Sequence, residues 1–408
     1  MDPKPLFLSF KERLIALLLL ISVALASLYF TFQNYQHFLH TRYIKALVIN
    51  QYPKGKKQIF KLKAKDGAIF YSSTHENLKD LRDRWILFRK FSKKITFLDY
   101  LRGFYYPGYI LKVLPKDTKY SFKEKIFAQH ERAALQEMFG ALFLATSMNK
   151  ETRQKIARFG ISHLFAISGF HLGLLALLIF VVLGSILKPL WQRVVPYWQM
   201  HTFLMSVVLV LAGAYMSFLG FLPSVVRSFV MLLFGYFIIH RYLRLLSFET
   251  LLWAVLLILA LFPHFLFSIG FWLSVAGVFY IYLFLHHFSH INRLAIVILL
   301  NLYLFTAILP LSAAIFGQWS VVMLLAPLLT FLFTLFYPLA LFLHIIGLGH
   351  SLDFVGYLFT LKSEVMHIAL PLWQLAIYLL LSIFAVLHRF IFFGALLFGL
   401  IVVVQHVA

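Results

Sequence analysis

The chain has 408 residues, of which 62% are hydrophobic, only 13% are charged and 46 are Phe. A soluble core of this length cannot bury that much apolar surface, so the composition excludes a soluble globular protein and predicts a polytopic membrane protein. Lys and Arg number 37 against 15 Asp and Glu, a formal net charge of +22 that points to a polyanion or an anionic membrane surface as partner, while the absence of cysteine excludes thiol redox chemistry and Cys-based metal sites.

Leu14 to Phe32 is an apolar run of helical length, preceded by Lys4, Lys11 and Arg13 and lacking a small-residue cleavage site. It reads as an uncleaved anchor, residues 1–32, with a cytoplasmic N-terminus. Residues 33–125 hold most of the lysines, and short alternating runs broken by Pro, Gly and Asp predict an extracytoplasmic, mostly β domain. Its clearest strand is Gln58–Lys65, where period 2 puts Lys61, Lys63 and Lys65 on one face and Phe60, Leu62 and Ala64 on the other. Asp66-Gly67 signals a hairpin into Ala68–Tyr71, and Trp85–Lys90 and Tyr109–Leu114 are further strands. Short basic strands with exposed aromatic rings suit a small all-β barrel of oligonucleotide-binding type, with lysine on phosphate and rings on bases. They suit equally a solvated β domain whose lysines only keep it soluble.

Within 126–160 an amphipathic helical segment is expected, from Phe122–Leu144 and Lys150–Phe159, lying along the membrane surface or over a pore mouth with Ala133, Ala134, Met138 and Ala141 on its apolar face. Residues 161–408 are almost continuously apolar. Spans fall near 170–187, 200–218, 223–240, 249–263, 267–285, 294–310, 319–345, 372–388 and 390–406, giving a polytopic α-helical protein of about 9–11 spans, some of them broken or re-entrant. With a cytoplasmic N-terminus, Lys188/Arg193, Arg241/Arg244 and Arg293 all come out cytoplasmic. Arg389 lands outside unless 319–371 holds an extra crossing or a re-entrant segment, and Pro327, Pro338 and Gly347 favour broken helices there.

Three features carry chemistry. Ile161–Leu175 places His163, Ser168, Gly169 and His171 at the mouth of an apolar helix. In Gly220–Arg227, Pro223 suits a first helical turn, Ser224 suits open amides, and Arg227 lies about one turn inside, with no acid nearby in sequence. An anion is its natural partner, and snorkelling to the headgroups is the plain alternative. Ser168 and His171 also invite an intramembrane hydrolase reading, but their spacing puts both on one helix with no second helix supplying a base. His286 and His290 form an i, i+4 pair without a carboxylate and read as an interfacial anchor, so no metal site and no cofactor is expected. No G-x-x-x-x-G-K-[ST] sequence is present, so the energy for any transport comes from elsewhere.

The run I-S-H-L-F-A-I-S-G-F-H-L-G-L-L resembles the H-L-L-A-I-S-G-L-H-x-G hallmark of the ComEC competence family. Gly220 to Ser228 is similar to that family's G-x-x-P-S-V-x-R-A, Phe271-Trp272-Leu273-Ser274 to its F-x-L-S-F, and Leu324 to Leu328 to its N-L-L-A-I-P-L with Leu324 in place of Asn. Thr96 to Leu101 resembles the end of the family's N-terminal soluble domain. The resemblance, over about 35–345, implies an inner-membrane channel that passes single-stranded DNA to the cytoplasm in natural transformation. It implies a periplasmic DNA-receptor protein and a cytoplasmic ATP-driven translocase as partners beside membrane lipids, and admits a homo-oligomer. It places His163, Ser168, Gly169, His171, Gly220, Pro223, Ser224, Arg227 and Ser274 on or near the path. No H-x-H-x-D-H sequence occurs, so neither the metallo-β-lactamase-like domain of many members nor an enzymatic activity is expected. A transporter or flippase of an anionic lipid or saccharide is the alternative, since it would use the same arginine.

Overall fold

The computed structural model describes residues 9–406 except 77, 92, 195, 196, 198, 242–246, 362 and 363. Lys4 and Arg244, which bear on the orientation, lie outside the described residues. Helix α1 (Phe10–His40) starts at Ser9, whose Oγ accepts the Glu12 amide at 3.2 Å. It does not stop at the expected residue 32. Tyr35 and Phe38, one turn apart, are buried in the core of the β domain, so the anchor helix itself supplies part of that core.

The β domain is a six-stranded sheet built from β1 (Tyr43–Lys54), β2 (Lys57–Ala64), β3 (Ile69–Thr74), β4 (Trp85–Lys90), β5 (Phe104–Tyr105) and β6 (Gly108–Val113). The order is β5-β3-β2-β1-β4-β6, antiparallel except for the β3–β5 pair. The expected alternation on β2 holds: Phe60, Leu62 and Ala64 are buried, Lys61 and Lys63 half-buried and Lys65 exposed. The hairpin at Asp66-Gly67 is also present, with Gly67 at φ 92. Among the described residues β5 and β6 remain the open ends of the sheet, so a closed oligonucleotide-binding barrel is not seen.

Lys90 points into this core. Its Nζ donates to the Phe38 carbonyl near the C-terminal end of α1 and lies 3.9 Å from the centre of the Phe38 ring. Burial pushes its pKa down to about 8, with Asp66 opposing. The folded value lies below the ordinary lysine value, so the unfolded chain holds more protons between them and stability rises with pH across that window. Hydrogen exchange of the β2 and β4 amides, corrected for intrinsic rate, should slow as pH rises from about 8 to 10, by at most about 3 kcal/mol in opening free energy. Lys90→Met should flatten that slope.

Helix α2 (Phe97–Arg102) is closed by a capping box between Thr96 and Asp99. The single helix expected over Phe122–Leu144 is two, α3 (Thr118–Phe127) and α4 (Ala133–Leu144), followed by α5 (Lys150–Arg158). Helix α4 is packed inside the protein rather than laid open on one face. Nine of its residues from Leu135 to Leu144 are buried, including Glu137, whose charge is met by Arg82 of the β domain at 3.0 Å. A second buried pair, Lys123–Asp83 at 2.8 Å, fixes α3 to the same loop.

The remaining helices are α6 (Ser162–Phe165), α7 (Gly169–Val194), α8 (Met200–Leu219), α9 (Pro223–Arg241), α10 (Phe248–Leu261), α11 (Ile269–Phe288), α12 (Arg293–Phe316), α13 (Ala326–Ile345), α14 (Leu372–Phe384) and α15 (Arg389–Gln405). Among the described residues six helical segments (α1, α7, α8, α11, α12 and Val321–Ile345) are long and apolar enough to cross a membrane, and this is a multi-pass membrane protein. Helices α1 and α10 run side by side in the same direction, tied by Arg13–Glu249 at 3.4 Å at one end and by Ser27 Oγ donating to the Leu261 carbonyl at the other.

The segment that broke the charge count folds back on itself. Two-residue strands β7 (Gln318–Trp319) and β8 (Met366–His367) pair antiparallel, so everything between them leaves and returns at one place. Asn301 donates to the Pro327 carbonyl at the start of α13 at 2.7 Å. Asn301 lies roughly 22 Å before the end of α12 at ~1.5 Å per residue, so the 3-10 turn Val321–Leu325 dives back alongside α12 before α13 begins. The segment is thus closed at its base by this pairing. It also brings Arg389 to the end of α11, where its Nη2 donates to the His287 carbonyl at 2.8 Å, together with Arg293 and away from the β domain.

Candidate functional site

The sequence motifs meet where the β domain sits on the bundle. Helix α8 ends at Gly220 in the left-handed region (φ 81), and its carbonyl accepts a hydrogen bond from Lys63 Nζ at 2.8 Å. The lysine stripe of β2 therefore faces the α8–α9 corner. Lys63 serves as a joint there, whereas Lys61 lies 5.8 Å from the centre of the Tyr71 ring and Lys65 is exposed. Burial lowers the pKa of Lys63, and Lys119 of α3 adds to this. On the 3-10 turn Pro263–Phe267 that precedes α11, His264 is pushed down to about 4, first by burial and then by Lys63. Neither Lys119 nor His264 was singled out from the sequence, because only the folded joint brings them near Lys63.

Pro223 opens α9 as expected. Ser224 departs from expectation. Its Oγ donates to the Ile167 carbonyl at 2.6 Å, tying α9 to the linker between α6 and α7 rather than capping its own helix. One turn on, Arg227 is 7% exposed; its Nε donates to Ser274 Oγ of α11 at 2.8 Å and its Nη2 to Ser228 Oγ at 3.4 Å. Ser228 Oγ in turn donates to the Ser224 carbonyl at 2.8 Å. Among the described residues no carboxylate pairs with Arg227. A buried guanidinium held only by hydroxyls keeps its charge and part of its donor fork uncommitted, the condition for binding an anion.

Gly169, the first residue of α7, makes this packing possible. A Cβ there would stand 2.4 Å from Ser228 Oγ and 2.9 Å from Arg227 Nη2. Ser168 and His171 are brought together, but as a helix start. His171 Nδ1 lies 3.2 Å from the Ser168 amide and 3.1 Å from its Oγ, while Nε2 lies 2.9 Å from the Leu164 carbonyl. The carbonyl can only accept, so Nε2 carries the proton and Nδ1 accepts from the Ser168 amide. This is one half of a capping box, with the His171 ring in the place of Glu at the Ser168 amide. His171 is 1% exposed, with Phe333 and Tyr337 of α13 packed on its ring. His163 stays exposed beside α13, its Nδ1 donating to the Gly160 carbonyl at 3.2 Å. Among the described residues no group of three or more His, Cys, Asp or Glu side chains is placed to hold a metal ion.

The site residues thus form one layer: α7, α9 and α11 converge on Arg227, the lysine stripe lies above, and α13 closes the side. Comparison with known proteins gives the same region a family. The chain is 31% identical over 227 residues to an uncharacterized protein of Aquifex aeolicus (strain VF5), an alignment covering 54% of this chain and 50% of that protein, so it spans about half the length of this curated relative. No solved structure matches. The sequence profile of the family described as Competence protein matches residues 144–406, the whole of the layer around Arg227 and the helices behind it, and the chain belongs to the competence protein family.

Proposed function

We propose that the chain is an inner-membrane channel for single-stranded DNA in natural transformation, with the β domain outside and the Arg293/Arg389 end in the cytoplasm. The observation that carries this reading is Arg227, a buried cation with no carboxylate, set one turn below a joint where Lys63, Lys119 and His264 also gather. A single strand presents one phosphate per nucleotide, and a backbone contact of this kind reads charge rather than sequence. Lys61 and Lys65 receive the strand and Arg227 holds a phosphate at the constriction. A DNA receptor outside and an ATP-driven translocase inside complete the route. No enzymatic step is assigned to the chain, and His171 Nδ1 accepts from the Ser168 amide at the start of α7.

Lys61→Ala with Lys65→Ala in the purified full chain should weaken single-stranded DNA binding and lower the slope of log affinity against log salt by about 1.4, roughly 0.7 for each phosphate no longer neutralised. An unchanged slope would remove the stripe from the path and favour a transporter of an anionic lipid or saccharide, which needs Arg227 but not the β domain.

A further inference from the structure

Away from Arg227, three polar side chains from three elements meet in an otherwise apolar core. His130, between α3 and α4, places Nδ1 2.6 Å from Asp353 Oδ1, in the 3-10 stretch Gly349–Thr360, and Nε2 2.9 Å from Nε2 of His344 near the end of α13. His344 Nδ1 lies 2.7 Å from the Ala340 carbonyl. The His130 side chain is fully buried and stacked on Phe139 at 4.5 Å, whereas Asp353 is 30% exposed and offers protons a way in.

Counting protons settles the wiring. The Ala340 carbonyl can only accept, so His344 Nδ1 carries a proton, and in the neutral ring Nε2 is an acceptor. His130 Nε2 must then donate to it, and one further proton must lie between His130 Nδ1 and the Asp353 carboxylate. Adding a proton to His344 sets two N–H groups against each other across 2.9 Å. Removing the one shared with Asp353 sets a lone pair against a carboxylate across 2.6 Å. With the Asp353 carboxylate ionised, the arrangement closes at one proton count only.

The geometry points to a proton-counted latch that holds α13 and the Gly349–Thr360 stretch against α4, and that loosens on both the acid and the alkaline side. The other charged groups nearby are engaged or turned away. Glu137 of α4 is paired with Arg82, Lys123 of α3 with Asp83 and Glu124 of α3 with Lys116, while Lys125 of α3 lies against the Phe122 ring. Arg132 lies over the Tyr357 ring at 5.4 Å, and Glu131 and His350 are exposed. Gln129 reinforces the closure, donating to the His344 carbonyl at 3.2 Å and accepting the Gly349 amide at 2.9 Å. Since α13 also carries Phe333 and Tyr337 onto His171, the latch sets how firmly that helix covers the start of α7.

Hydrogen exchange of the purified full chain, followed over residues 344–361 and corrected for intrinsic rate, tests this. Protection should pass through a maximum as pH is scanned and fall on both sides of it by about 5- to 10-fold, the worth of one hydrogen bond. The β2 and β4 amides should show no acid-side loss over the same scan. In His344→Gln the amide oxygen still accepts from His130 but cannot be protonated, so the acid-side loss should vanish while the alkaline side remains. Asp353→Asn should lower protection throughout, and decides the matter if the first variant does not accumulate. A flat profile in the unmodified chain, an acid-side loss that survives His344→Gln, or an Asp353→Asn profile identical to the unmodified chain would overturn the latch.

Discussion

Arg227→Met lowers DNA delivery to the cytoplasm by about 10- to 150-fold, the equivalent of one charge-assisted hydrogen bond of ~1.5–3 kcal/mol, and leaves the amount of folded protein unchanged or higher. The two halves of this expectation have one cause. A buried guanidinium held by Ser274 and Ser228 and by no carboxylate carries an uncompensated desolvation cost whenever no strand is bound. An apolar side chain of similar length removes that cost and with it the phosphate contact. Arg227→Lys should fall between, since one ammonium cannot bridge two hydroxyls and still present donors in a fork. Membrane-fraction immunoblots beside transformation frequency read both halves. Loss of function together with loss of protein would make Arg227 a folding residue and remove it from the path.

Gly169→Ala should be nearly as severe for a steric reason. Its Cβ would meet Ser228 Oγ at 2.4 Å and Ser228 Cβ at 3.3 Å, and Ser228 cannot turn away without breaking its bond to the Ser224 carbonyl. Either α7 separates from α9 or the Arg227 guanidinium is displaced, at a cost of about 1–3 kcal/mol for overpacking. Gly173→Ala, one turn further along α7 with nothing within 4 Å, should be neutral in the same assay. Adding Ser228→Ala to Gly169→Ala removes the closest contact and should restore part of the activity. If the single substitution is as active as Gly173→Ala, the α7–α9 approach is not needed for function.

Much of this could be read before folding wherever a local rule governs. The lysine stripe followed from period 2 on β2, the start of α9 from Pro223, and every apolar span after Phe159 has its helix. What escaped depends on partners distant in sequence. Helix α4 read as an amphipathic surface or pore-mouth helix from its own periodicity, whereas the partner that lets Glu137 be buried, Arg82, lies 55 residues upstream. Strands β7 and β8 are two residues each, too short for any periodicity, yet they bring the two ends of the 318–367 segment together. The anchor appeared to end where its hydrophobicity does, although Tyr35 and Phe38 belong to the sheet's core. Within the site, Arg227 and Gly169 were visible as residues, but the hydroxyls that hold Arg227 and the approach that requires Gly169 belong to three helices at once. His130, His344 and Asp353 were missed for the same reason. Their only prior signal was that Asp353 is one of few acids in the apolar half of the chain.

The central claim is that DNA crosses the membrane through this chain. Cells lacking its gene, supplied with labelled duplex DNA and fractionated so that the external or periplasmic pool and the cytoplasmic pool are scored separately, test it most directly. The account predicts label held outside the inner membrane, restored to the cytoplasm by the intact gene and not by Arg227→Met; normal arrival of label in the cytoplasm of the deleted strain would contradict it.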